Sequence, residues 1–218
     1  MSVFAYDPEA VRTWGNTVIN YLNGGSESIS SCSKRFSQQI ENLVQPNVWT
    51  GAAAHQNYQN FLETHQALIN FVNNFGQAFE SSMNSINANV ANLETSNLGT
   101  TTNVSSFGNL SYDQLSQLSE ENIKQDVVKY DYAAITSIGS ELNSIFTDLE
   151  GINEKLRNKI SELNNGSSIW DGDAAENAKE TLLEILQSNM TKVNEALQIC
   201  ISNIKTAAEA AQAADSGR

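Results

Sequence analysis

The sequence is poor in residues that interrupt helices and in residues that do covalent chemistry. Its 218 residues include two prolines, two cysteines and two histidines, with 12 basic side chains against 25 acidic ones. Each scarcity excludes something. A net charge of −13 rules out tracking of a nucleic-acid backbone, because Lys and Arg must displace the condensed counterions. Two cysteines make neither a disulfide framework nor a four-thiolate zinc site. Two prolines argue against a loop-rich chain. No stretch approaches the ~18 consecutive apolar residues of a transmembrane segment. The N-terminal MSVFAYDPEAVRTW lacks a basic n-region and an apolar h-region, so no Sec signal peptide is expected. The chain is expected to be made in the cytoplasm, and export would need a route that reads a folded or helical signal.

Candidate chemistry is equally thin. His55 and His65 lie ten residues apart, nearly three helical turns, too far to share a metal ion. His65 falls on an apolar stripe, where a hydrogen-bonded core histidine is the ordinary reading. No Gly-rich phosphate loop follows a strand, and nothing resembles a nucleophile elbow. The expectation is a protein that is not an enzyme, with no catalytic residue, no cofactor and no metal.

What is present is helical periodicity. Asp7-Pro8-Glu9 reads as an N-cap, a first-position proline and a first-turn acid. The apolar seam Val11, Trp14, Val18, Leu22, Ile29, Cys32, Phe36, Ile40, Leu43 follows, with Gly24-Gly25 expected to kink or break it. A second stripe runs Tyr58, Phe61, His65, Leu68, Val72, Phe75, Phe79, Met83, Ile86, Val90, Leu93. A third runs from Ile135 to Leu163 in steps of three and four, and a fourth is Leu183, Leu186, Met190, Val193, Leu197, Cys200, Ile204. The spacing predicts long helices packed knobs-into-holes. The fold expected is all-α: two tandem helical hairpins, residues 1–97 and 112–218, joined by a Ser/Thr/Asn linker at 98–111, forming an elongated four-helix bundle. Residues 1–110 carry 3 basic and 7 acidic groups, residues 111–218 carry 9 and 18, so the first hairpin is the one suited to contacts.

The organisation repeats. Val48-Trp49-Thr50-Gly51 separates the first two helices and Ile169-Trp170-Asp171-Gly172 the last two, 121 residues later. Glycine permits a tight reversal, and an indole can plug the apolar gap at the tip while its N–H reaches an orphan helix carbonyl. If the hairpins pack antiparallel, Cys32 and Cys200 lie near each other along the bundle axis, and both fall on apolar seams. Two buried thiols are expected rather than a disulfide.

Trp49-Thr50-Gly51 and Trp170-Asp171-Gly172, each between two long helices, resemble the turn of the WXG family, the helical hairpins of type VII (ESX-type) secretion. The resemblance covers nearly the whole chain as two copies. It implies secretion without a cleaved signal peptide, as a substrate or as a chaperone-like adaptor that pairs with a larger effector, a toxin. It also implies a protein partner, the effector or the secretion ATPase, and an antiparallel bundle that a tandem chain could form within itself in place of a dimer. The family's export signal, Tyr-x-x-x-Asp/Glu after the last helix, is absent here. The aromatic-x-x-x-acid match is Phe146…Glu150 inside helix three, where a core-edge phenylalanine and a solvated glutamate are the plainer reading. A membrane-active, pore-forming-like toxin component is the alternative function; the absence of a basic interfacial face weighs against it. Phe71, beside the seam residue Val72, is the candidate partner contact, because one stripe per helix would leave it uncovered.

Overall fold

The computed structural model describes residues 5–45, 47–98, 127–166 and 169–216. Five helices account for most of them: α1 (Pro8–Asn23), α2 (Ile29–Leu43), α3 (Ala52–Leu98), α4 (Tyr132–Ser161) and α5 (Asp173–Ser216). Four two-residue strands, β1 (Ala5–Tyr6), β2 (Trp49–Thr50), β3 (Lys129–Tyr130) and β4 (Trp170–Asp171), sit at the helix ends. The linker expected at 98–111 begins at the last residue of α3 and otherwise lies outside the described residues.

Local sequence sets the helix ends. The Asp7 carboxylate accepts from the N–H groups of Glu9 and Ala10 at 2.9 and 3.0 Å, ahead of the first-turn proline. Gly24-Gly25 breaks the first long helix outright: Gly25 adopts φ +72°, and Ser28 restarts the chain as the N-cap of α2, accepting from Ser31 N–H at 3.1 Å. In α4 no such pair occurs, and one helix covers the equivalent length.

The helices bury their stripes against one another in an all-α bundle. α3 lies against α2 and α5, and α4 against α2 and α5, so each hairpin contributes both helices to a shared core. That core includes Leu22 from α1, Phe36 and Ile40 from α2, Phe61, Leu68, Phe75 and Phe79 from α3, Ile145, Leu149 and Leu156 from α4, and Leu186, Val193 and Leu197 from α5. α4 and α5 approach closely at Gly139, where a Cβ would stand 2.9 Å from Ile204 Cγ2. Cys32 and Cys200 are both free and buried, and the Cys200 thiol is hydrogen-bonded with Thr64 Oγ1 at 3.3 Å. His65 is buried, its ring stacked 6.3 Å from Phe36.

Two expected placements are corrected. On α5 the seam residue is Leu182, fully buried, with Leu183 only half-buried. Four residues before Leu186 is the position that continues through Ala178 and Ala175. Phe71 is not a surface residue: it is fully buried and meets Phe75 edge-on at 6.3 Å. The reason is that α3 is covered on two sides, by α2 and by α5, so it buries a broad face in which Leu68, Phe71, Val72 and Phe75 all belong.

Candidate functional site at the paired hairpin tips

Each hairpin tip is closed by the other hairpin. β2, which is Trp49-Thr50 of the first turn, pairs antiparallel with β3 at the entry to α4, Trp49 opposite Tyr130. β4, which is Trp170-Asp171 of the second turn, pairs antiparallel with β1 at the entry to α1, Trp170 opposite Tyr6. The base of one hairpin thus lies at the tip of the other, which makes the two hairpins antiparallel. The entry sequences repeat as the turns do: Tyr6-Asp7 and Tyr130-Asp131 stand 124 residues apart. This half of each site was missed in the sequence; the repeated dipeptide is the signal that could have found it, since two-residue strands are too short for period-two patterning to reveal.

Matching backbone bonds extend both clasps. Asp131 N–H donates to Val48 O at 2.8 Å, and Asp7 N–H donates to Ile169 O at 3.1 Å. Each aspartate then caps its own helix, Asp131 accepting from Ala134 N–H at 3.0 Å. The two motif glycines share a conformation that side chains rarely adopt, Gly51 at φ +111° and Gly172 at φ +124°. Their carbonyls accept the first bonds of the helices that follow, from His55 N–H at 3.1 Å and Glu176 N–H at 3.0 Å. So Trp, Gly and the opposite Tyr-Asp form one unit that turns the chain, starts a helix and fastens the partner hairpin.

The two tips differ in side-chain detail. At the first, Trp49 is buried and meets the Tyr130 ring edge-on at 5.8 Å. Thr50 Oγ1 accepts from Lys129 N–H at 2.9 Å and donates to Val127 O. Lys129 Nζ donates to Asn47 Oδ1 at 2.5 Å. The Tyr130 hydroxyl is buried without a partner, and burial pushes its pKa up to about 12. Val127, Val128 and Tyr132 are exposed beside this turn, Val128 at 83%. At the second tip Asn164 takes over much of the bonding: its Oδ1 accepts from Gly172 N–H at 2.9 Å and its Nδ2 donates to Glu176 at 2.6 Å. The Lys179 ammonium, with Asn164 second, draws the Glu176 pKa down. Tyr6 OH donates to Asn87 at 3.3 Å, and burial raises its pKa.

The expected link from a motif indole to an orphan carbonyl is not made at Trp170, which is 2% exposed with its Nε1 unpaired. Another tryptophan does reach a helix-end carbonyl, one that also accepts from Glu162 N–H at 3.3 Å. Trp14 of α1 donates from Nε1 to Lys159 O, in the last turn of α4, at 2.6 Å, and its ring lies 5.6 Å from Phe79. Phe146 is half-buried at the core edge and Glu150 is exposed. Among the described residues, no group of three or more His, Cys, Asp or Glu is placed to hold a metal, and no helix is long and apolar enough to cross a membrane.

No curated protein and no solved structure matches the chain. Residues 127–216 match the family model WXG100, proteins of 100 residues with WXG. The matched segment begins at the β3 clasp and runs to the end of α5. Members of that family are small helical proteins associated with type VII secretion that act in protein–protein complexes. The second hairpin, with Trp170 and Gly172 at its turn, is thus similar to a WXG100 protein, and the match supports a WXG-family reading of that part of the chain.

Proposed function

We propose that the chain is a tandem WXG protein exported by a type VII system, serving as a substrate or as an adaptor that accompanies a larger effector. The observation that carries this reading is the reciprocal clasp. The hairpin matched by the family model and the unmatched first hairpin close each other's Trp-x-Gly tips with the same Tyr-Asp entry. Hairpin one then serves as the second WXG unit, and the pairing that family members make between chains is made here within one chain. The role is recognition rather than catalysis.

The test is export in the native host. Deleting the type VII ATPase should abolish extracellular protein while the cytoplasmic pool stays folded. An unchanged extracellular level sinks the export reading. Affinity capture of the tagged full chain, followed by mass spectrometry, separates the two roles: an adaptor retains a stoichiometric effector, and a solitary substrate does not.

A further inference from the structure

We propose that Arg35 makes the hairpin pairing selective, directing hairpin one onto hairpin two and away from hairpin one of a second copy. Its guanidinium leaves α2 and engages three side chains on one face of α4. Nε donates to Glu141 at 2.7 Å, Nη1 to Asp148 at 2.5 Å and Nη2 to Ser144 Oγ at 2.9 Å. Spacings of three and four along α4 place all three acceptors on that face, and the planar fork of arginine meets them as a lysine ammonium would not. The cluster is partly shielded, with Arg35 and Glu141 at 32% and 35% side-chain exposure. Charge-assisted bonds there are stronger than on an open surface.

The internal repeat shows what another pairing would offer. Aligning Tyr6-Asp7 with Tyr130-Asp131 sets Arg35 against Lys159, Thr17 against Glu141, Asn20 against Ser144 and Gly24 against Asp148. The alignment agrees with the contacts. Lys159 shares a groove with Thr13, Trp14 and Thr17 of α1, as Arg35 meets Glu141, and it pairs with Glu162 of its own hairpin at 2.7 Å. In a complex of two first hairpins, Arg35 would therefore face Thr17, Asn20 and Gly24, with no carboxylate among them. Glu27 would likewise lose Lys155, which it meets at 2.5 Å across the hairpin boundary. Two second hairpins would keep a cation opposite Glu141 but would bring together two surfaces that each hold about twice as many acids as bases. Selectivity arises because the mispaired states leave a charge unmatched, not because the correct state is unusually tight.

The inference rests on the paired geometry and not on export, so a chain that is never secreted leaves it standing. The experiment uses the full chain with a protease site placed between residues 110 and 111. The chain is folded, cleaved, unfolded in denaturant and refolded, and native mass spectrometry counts the three possible hairpin pairs. The unsubstituted chain should give at least about a tenfold excess of one–two over one–one pairs, and R35E should lower that ratio about tenfold, equivalent to about 1.4 kcal/mol. The charge swap R35E/E141R/D148R should restore it. Should R35E fail to refold, R35Q is read in its place, with an intermediate ratio expected. A ratio unmoved by R35E, or by R35Q where that is the variant read, overturns the proposal, as does a swap variant as unselective as R35E. Hairpins that stay apart after refolding of the unsubstituted chain overturn the pairing itself.

Discussion

Gly51 and Gly25 are both held at positive φ, yet they bear different loads. At Gly51, φ +111° is combined with a neighbour: an added Cβ would stand 3.3 Å from Val128 Cγ2. At Gly25, φ +72° faces open space. Gly25→Ala should therefore cost about 1 kcal/mol, the ordinary penalty of a left-handed alanine. Gly51→Ala should cost about 2–3 kcal/mol, since its backbone region is more restricted and the clasp must shift as well. Urea denaturation of the two variants decides it, and equal losses would mean that Val128 yields freely. The cysteines give a pH prediction. Burial pushes both thiols up from an ordinary value of 9.0 to about 11. Between those values the unfolded thiols release protons that the folded ones retain, so stability is complete below pH 9 and falls as pH rises towards 11. A Cys32→Ala/Cys200→Ala variant should start less stable and show a shallower decline. Tyr130, raised to about 12, leaves a remaining slope above pH 10.

At the scale of elements, α1 is the piece held most by named side chains, through the Asp7 cap, the β1 clasp and Trp14. Trp14→Phe removes the bond to Lys159 O, whereas Trp170→Phe removes an N–H that has no partner. Both lose similar ring volume, so the difference between them isolates the hydrogen bond. Trp14→Phe should be the more damaging by about 1 kcal/mol, and an equal loss in thermal melts would show that the bond contributes nothing. The long seams were legible in the sequence because each of these helices repeats its apolar side chains over several turns, as Ile135 to Leu163 does. The break at Gly24-Gly25 was legible for a local reason, two adjacent residues without Cβ. Phe71 was misplaced because periodicity assigns one stripe per helix and says nothing of how many neighbours a helix has. The Trp-x-Gly turns were readable, while their Tyr-Asp counterparts became visible only once the crossing of the hairpins placed them together.

For the molecule as a whole, the excess of acid sets the response to salt. The 25 carboxylates outnumber the 12 cations, and the ion pairs across the hairpin boundary, Arg35 with Glu141 and Asp148 and Lys155 with Glu27, are partly exposed. Screening should therefore relieve more repulsion than it removes attraction. The melting temperature should rise by a few degrees, about 2–5 °C, between ~10 mM and ~300 mM NaCl. A fall would mean that the Arg35 cluster outweighs the net charge. R35Q should steepen the rise by removing the attractive part.

The crossed clasps also have a direction in time. During synthesis the chain emerges from its N-terminus, and domains form as their residues become available. Trp49 is made some eighty residues before its lid Tyr130, so the first tip waits with its indole uncovered while α3 and the segment beyond it are produced. Trp170 meets the opposite situation, because Tyr6 is already present when it appears. One tip is born open and the other finds its cover waiting, which makes the nascent first hairpin the stage at which a chaperone or a misdirected neighbour has its opportunity.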